Sequence, residues 1–422
     1  MRIAIIGSGI SGLSAAFALR DRHDLVLYEQ GKRPGGHVRT VTVAGAGGAV
    51  AVDMGFIVYN EPTYPRFSRL LDELGVPTQP TEMSFGHRCF GCDLEFGSVG
   101  VAGLLATPRA ATLPGHWRMV ADLVRFHREA RRRLESGHPS LDTLDSLLRQ
   151  GGYGESFRRH FVLPVVSAIW STPASGTLDF PADTLLRFLD NHGLIGFGRA
   201  KPWRTIVGGS STYVERILAH LPEGTLRTST HVLGVRRDGQ GVTVHAAGRA
   251  PERFDALVLA THADDALALL ADADAGETDA LERFEYTRND VVLHTDDRLL
   301  PRRIRARGSW NVDTIDCQAP GRLTMTYDMV RLQRLAGTGP LLVSVNPGDR
   351  VATDRIIESD VMTHPRYTFR TLEGQRAVAR LQGHRRTWYA GAHLGYGFHE
   401  DGCRSGFEAA SDISERLDRM AA

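Results

Sequence analysis

Lysine is almost missing from this chain: among 50 basic residues in 422 positions, only Lys32 and Lys201 are lysines and the rest are arginines. This reads as coding bias rather than arginine-specific recognition, and 49 acidic residues bring the formal net charge to +1. A chain so near neutrality has no global field to gather nucleic acid or an anionic membrane. Cysteine is scarce too, with four residues, which suits a reducing compartment. The only close pair is Cys89-Phe90-Gly91-Cys92. A structural zinc site takes four ligands and no second C-x-x-C is present, so no metal is expected. Nor does the pair have the strand-to-helix setting of a thioredoxin motif. No run of 18 apolar residues occurs, so nothing reads as a membrane-spanning helix. The first residues already read as a strand rather than a signal peptide, so a cytoplasmic location is expected, with peripheral membrane contact left open.

What is present is an ordinary globular composition, 42% hydrophobic and 23% charged, and length enough for two or three domains of roughly 150 residues. Residues 2–6 read as a short apolar strand, 7–12 as a glycine-rich turn, 11–19 as a small-residue helix and 25–29 as a second strand, a βαβ beginning. Glycine and proline mark loops at 31–36 and 45–48. Residues 101–152 and 157–189 read as mostly helical, with 117–134 an amphipathic surface helix whose arginines form a solvated face. Residues 202–209 read as a loop and 211–221 as a helix. Residues 225–244 read as two strands joined at 238–241, and 254–260 as a buried strand. Residues 291–295, 323–327 and 341–345 read as strands of a second sheet, 388–390 as a last short strand and 406–420 as a closing helix.

Gly7-Ser8-Gly9-Ile10-Ser11-Gly12 matches G-x-G-x-x-G between a strand and a helix, answered by Glu29 at the end of the next strand. Gly7 permits the tight turn, Gly9 lets backbone approach a pyrophosphate and Gly12 lets helix and strand pack closely. The helix N-terminus offers free N–H groups to the phosphates, and Glu29 can accept from ribose hydroxyls. Alone, this motif allows NAD, NADP or FAD.

The next block narrows the choice. Gly35-Gly36-His37-Val38-Arg39-Thr40 resembles the G-G-x-x-x-T extension of flavoproteins of the amine oxidase and phytoene desaturase superfamily, where it continues the pyrophosphate cradle. Near the C-terminus, Tyr389-Ala390-Gly391-Ala392-His393 and Gly397-Phe398-His399-Glu400-Asp401-Gly402-Cys403-Arg404-Ser405-Gly406 resemble that superfamily's last flavin motif, where a helix N-terminus meets the flavin ring. Ala392 stands where relatives often carry an acid. The resemblance implies FAD as cofactor. It implies contacts from Gly7, Gly9, Ser11, Gly12, Glu29, Gln30, Gly35, Gly36, His37, Arg39 and Thr40, and from Gly55, Phe56, Val232, Ala260 and Thr261. At the C-terminus it implies Gly391, Ala392, Phe398, Asp401, Gly402, Cys403 and Ser405. Arg39 is expected to face a phosphate or the flavin edge.

Further blocks sharpen the likeness. Val52-Asp53-Met54-Gly55-Phe56-Ile57-Val58-Tyr59-Asn60, Ala168-Ile169-Trp170-Ser171-Thr172-Pro173, Asn191-His192-Gly193-Leu194, Trp203-Arg204-Thr205-Ile206-Val207-Gly208-Gly209-Ser210 and Ser309-Trp310-Asn311 resemble one subgroup. Its members are the predicted NAD/FAD-binding proteins associated with cyclopropane-fatty-acid-synthase-like methyltransferases. That likeness implies a long acyl chain or modified lipid as substrate and a methyltransferase as functional partner. An amine remains the alternative substrate. Against it, many amine oxidases carry a lysine on a substrate-sheet strand, and residues 288–301 have none. A non-catalytic flavoprotein partner of a methyltransferase is the third reading.

Flavin oxidation of a C–H bond needs a base for the second proton. His37, His192, His294, His393, His399 and Glu400 are candidates, with His399 and Glu400 favoured because they sit in the flavin motif. Trp170, His192, Trp310, Tyr327, Tyr396 and Phe398 are expected to line the substrate pocket. The fold expected is α/β: a discontinuous Rossmann-type FAD domain of residues 1–60, 200–265 and 380–422. Residues 61–199 and 266–379 then form a substrate domain of mixed β-sheet with a helical cap, amine-oxidase-like.

Overall fold

The computed structural model describes residues 1–45, 48–137, 140–170, 174–195, 201–319, 321 and 323–421. Residues 46–47 of the expected loop at 45–48, and Ser171, Thr172 and Pro173, lie outside the described residues.

A parallel sheet of five strands is ordered Leu226–Arg227, Asp24–Tyr28, Arg2–Ile6, Ala256–Leu259, Thr387–Tyr389. Its central strands are short unbroken apolar runs, as parallel strands covered on both faces require. Ile3, Ala4 and Ile5 pair with Ala256, Leu257 and Val258, all buried. Helix Ile10–Leu19 covers one face and is clasped by the closing helix His399–Ala421. Two small residues make that contact close. A Cβ on Gly406 would lie 2.2 Å from Ser11 O, and one on Gly402 would lie 2.7 Å from Ile10 Cγ2. The strands from three distant segments all end at one rim of this sheet, where open α/β sheets bind ligands.

The second sheet has seven strands, ordered Ile356–Arg366, Glu285–His294, Leu342–Val345, Thr324–Asp328, Trp310–Thr314, Phe85–Cys89, Leu94–Gly97. Only Trp310–Thr314 against Phe85–Cys89 runs parallel. Three expected strands, at 291–295, 323–327 and 341–345, lie in it. The edge strand Ile356–Arg366 and the hairpin Phe85–Cys89/Leu94–Gly97 do not announce themselves in the sequence. The first is largely solvent-facing, with Glu358, Asp360, Pro365 and Arg366 breaking its apolar pattern, the usual dress of an edge strand. Residues 202–209 are corrected from loop to strand in part: Trp203–Ile206 is the centre of a small sheet, paired with Val58–Asn60 and Thr78–Thr81. The closing helix begins at His399 rather than at 406.

A helical cap fills the space beyond the second sheet. It comprises Gly100–Leu104, Pro114–Ser136, Leu144–Gln150, Leu163–Trp170 and Ala182–Asn191, with a π-helical turn at Arg158–Val162. Phe126, Leu147, Phe157, Val166 and Leu185 are the core it shares. No helix among the described residues is long and apolar enough to cross a membrane.

Candidate functional site

The rim of the parallel sheet opens on a cavity of about 1420 Å³. This exceeds the roughly 300–1,000 Å³ of a pocket for one small ligand, so a dinucleotide and a substrate fit together.

One end is built for a dinucleotide. Gly7 turns the chain at φ +102, where a Cβ would meet Ala260 O at 2.6 Å. Gly12 packs so close to that turn that a Cβ would lie 1.9 Å from Gly7 O. Gly9 is different. It stands before helix Ile10–Leu19, and a Cβ there would meet nothing within 4 Å. Gly36 abuts it, with a Cβ placed 2.9 Å from Gly9 Cα. The helix has no side-chain cap and no acid in its first turn, which leaves its free N–H groups to an anion. Glu29 is held rigid, accepting from both the amide and the hydroxyl of Ser8 and from the Gly31 amide at 2.7 Å. Val232, Ala260 and Thr261 line the same end, as do Ser11, Gln30, Gly35 and His37. This open, donor-rich cradle fits the pyrophosphate and ribose of FAD.

Gly55, Phe56, Gly391, Ala392 and Phe398 also line the cavity, with His399. A Cβ on Gly55 would lie 1.9 Å from His37 O, so only glycine lets these loops meet. The His399 ring stacks on Phe56 with centroids 3.7 Å apart, and its Nε2 pairs with the Tyr213 hydroxyl at 2.6 Å. Burial pushes its pKa down to about 3, so the ring is neutral.

Several expected contacts stand behind the cavity wall rather than in it. Gly12 is a packing glycine. Asp401 accepts from the Phe398 amide at 3.1 Å and shapes the loop entering the closing helix. Ser405 accepts from the Gly391 amide at 2.9 Å. Cys403 is buried against Ser14, its thiol pushed up to about 12 by desolvation. Gly402 is the contact with Ile10. Thr40 donates to Asp53 at 2.6 Å, and Arg39 pairs with Glu358 at 3.1 Å and Asp360 at 3.7 Å. None of these is among the residues that line the cavity. Glu400 likewise leaves it: its two carboxylate oxygens accept from the Arg66 and Phe67 amides at 3.1 and 3.0 Å, capping helix Pro65–Glu73. Phe398 and His399 just before it line the cavity, but one residue along a helix turns the side chain about 100° away.

The other end is apolar. Met119, Val120, Leu123 and Phe126 of the cap helix, with Leu104, Phe161, Val165 and Ile169, extend the cavity away from the cradle. Helical periodicity marked these positions, but it cannot separate a face packed on a core from one lining a tunnel. Between the two ends stands an aromatic group. Phe398 stacks on Phe188 at 4.6 Å and meets Trp170 at 6.1 Å, and His192 stacks on Phe188 at 3.8 Å. Trp310 and Tyr327 form a T-shaped pair at 5.3 Å. Of the expected pocket residues, Tyr396 alone does not line the cavity; its carbonyl accepts from Trp170 Nε1 at 3.0 Å. Two polar atoms of lining residues, His192 Nε2 and Trp310 Nε1, are buried with no partner among the described residues. His294 is held elsewhere, against the Ser344 hydroxyl at 2.8 Å.

A separate cluster revises the expectation of no metal ligands. Cys89, Cys92, Cys317 and His160 bring one donor atom each within 4.8 Å of one another. The sequence hid this set because His160 and Cys317 lie 68 and 225 residues from Cys92.

The family model described as flavin containing amine oxidoreductase matches residues 10–398. No curated protein matches the chain by sequence. Solved structures share its fold. Cyclohexylamine oxidase from Brevibacterium oxydans IH-35A superposes with a TM-score of 0.68 at 16% identity, covering 99% of both chains. A double mutant of putrescine oxidase gives 0.70 at 14%, covering 98% of this chain and 99% of that one. A CLA-producing fatty acid isomerase from P. acnes gives 0.67 at 17%, covering 97% and 98%.

Proposed function

The chain belongs to the flavin containing amine oxidoreductase family and is an FAD-dependent oxidoreductase; from that premise we propose that its substrate is apolar, a fatty-acyl chain or modified lipid. Bound FAD supplies a two-electron acceptor for a hydride at its N5 position. The chain supplies the rest. The aromatic group at Phe398, Phe188 and Trp170 orients the reacting carbon and excludes water. The arm of Met119, Leu123, Phe126 and Phe161 holds the remaining chain. His192 takes the second proton on Nε2, with His399 as the other candidate.

The observation that carries this reading is the apolar arm. Among the described residues the lining carboxylates are Glu29, Asp265 and Asp360, and none belongs to the cap. An ammonium group entering the arm would find no counter-charge, whereas each buried CH₂ gains about 0.8 kcal/mol. Strand Glu285–His294 has no lysine, and Lys201 instead donates to the Asn191 carbonyl. The structural neighbours named for amines and for a fatty acid do not decide between substrates, since likeness at this identity carries the fold alone. The same proposal assigns residues 1–60, 200–265 and 380–422 to the FAD domain. It also includes a lipid methyltransferase as functional partner and peripheral membrane contact.

Anaerobic incubation of the purified holoprotein with acyl lipids and with amines, followed at the flavin absorption band, tests the reading. Bleaching by an acyl lipid is expected. Bleaching by an amine and by no lipid overturns it.

A further inference from the structure

The cysteine pair at 89 and 92 sits at the tip of the hairpin Phe85–Cys89/Leu94–Gly97, the position that C-x-x-C occupies in zinc-binding turns. Asp93, just after it, has φ +52, the left-handed turn that brings the strand back. Strand Trp310–Thr314 runs parallel beside Phe85–Cys89, with Thr314 opposite Cys89, so the turn that follows delivers Cys317 to the same place. His160 comes from the cap, on the π-helical turn Arg158–Val162; such single turns gather at functional sites. Segments far apart in sequence thus aim three thiols and one imidazole at a single point.

We infer that Cys89, Cys92, Cys317 and His160 form a structural zinc site. Tetrahedral zinc with Zn–S bonds of about 2.3 Å sets its donors about 3.8 Å apart. Here all four donors lie within 4.8 Å of one another, and Cys92 Sγ stands 3.8 Å from His160 Nε2. Donors this close surround one ion and leave no room for two irons bridged by sulfides. Soft thiolates with one imidazole select zinc among abundant divalent ions. The imidazole is also braced from behind. His160 Nδ1 faces His87 Nε2 at 3.4 Å, which fixes the ring so that Nε2 meets the sulfurs. Three of the chain's four cysteines are used, and Cys403 lies apart against Ser14. With four protein ligands the coordination is closed, so the ion takes no part in the oxidation. On binding, the thiols give their protons to solvent and no electrons move. The ion would tie the second sheet to the cap directly behind Phe161, which lines the apolar arm.

The test is the metal content of holoprotein purified without a metal-affinity tag. About one zinc per chain is expected, released by an organomercurial that caps thiols. Cys317→Ser and His160→Phe should lose it, whereas His160→Cys, a fourth thiolate, and Cys403→Ser should keep it. If the losing variants do not fold, the wild-type stoichiometry, the His160→Cys variant and the thiolate-to-metal bands of the cobalt-substituted protein still answer. Wild-type protein with reduced thiols and under about a tenth of an equivalent of zinc overturns the site. So does a Cys89–Cys92 disulfide, or full zinc in folded Cys317→Ser.

Discussion

His192 Nδ1 donates to the Phe188 carbonyl oxygen at 2.9 Å, one turn back along helix Ala182–Asn191. A carbonyl only accepts, so the proton is on Nδ1 and Nε2 keeps a lone pair, buried without a partner among the described residues. Desolvation lowers the pKa of this ring to about 4. An unpaired, neutral imidazole beside the aromatic group is poised to take a proton. His192→Gln is expected to slow anaerobic flavin reduction about 10²–10⁴-fold, with FAD content unchanged. The wild-type rate should stay level down to pH 5 and fall only as pH drops through about 4. Stopped-flow traces of His192→Gln and His399→Asn separate the two candidates. Wild-type speed in the first and collapse in the second would transfer the role to His399, whose Nε2 is already engaged by Tyr213.

Gly9 and Gly12 carry the same motif but predict opposite failures. A Cβ at Gly9 meets no non-neighbouring protein atom within 4 Å and its φ of −65° suits any residue. Gly9→Val should therefore fold, while its branches occupy the space of the pyrophosphate. FAD affinity is expected to drop by about 100-fold or more, roughly 2.7 kcal/mol. Gly12→Val puts its Cβ 1.9 Å from Gly7 O and should fail to give soluble protein. Titration of FAD into apoprotein, with circular dichroism as the fold check, decides. A Gly9→Val protein that binds FAD as tightly as wild type contradicts the placement.

The cradle was legible in sequence because its residues are fixed by local geometry. A turn at Gly7, a cap at Gly9 and a carboxylate at Glu29 all follow within one βαβ unit. Which motif residues touch the cofactor was less legible. Glu400 and Asp401 follow His399 in the chain, yet helical rotation turns them away from the cavity, and Cys403, one full turn further along the same helix, is taken up by its packing against Ser14. The apolar arm and the Cys–His cluster were hidden for another reason: each is assembled from segments that meet only through the second sheet and the cap.

Acid should weaken the fold before it reaches the pH where carboxylates usually titrate. Desolvation lowers His192 to about 4 and His393 and His399 to about 3, from 6.5. Below pH 6.5 the unfolded chain takes up protons that these buried rings refuse, so stability falls as pH drops toward 4 and 3. Asp53 and Asp401, raised to about 6 by burial, act in the opposite sense between 6 and 3.8. The three rings are displaced further from their ordinary values than the two carboxylates, and each pH unit of displacement carries about 1.4 kcal/mol, so the rings prevail. The thermal midpoint is expected to fall steadily from pH 6.5 to 4.5 in differential scanning fluorimetry. A midpoint that is level or rises over that window rules the balance out.

If the arm holds an acyl chain, its length should set the preferred chain length. Leu123 stands on the cap helix Pro114–Ser136 and lines the arm between Met119 and Phe126. Leu123→Trp adds bulk on a half-buried face, where the fold can bear it, and shortens the arm. Excluding about four methylenes removes about 3 kcal/mol of burial, near 100-fold in affinity. The loss should fall on KM for long acyl chains and spare short ones. The limiting rate of flavin reduction should change little, because the reacting carbon sits at Phe398 and not at the arm's end. A uniform loss across chain lengths would place the acyl chain elsewhere, and a loss in limiting rate alone would mean that the substitution had disturbed the aromatic group instead.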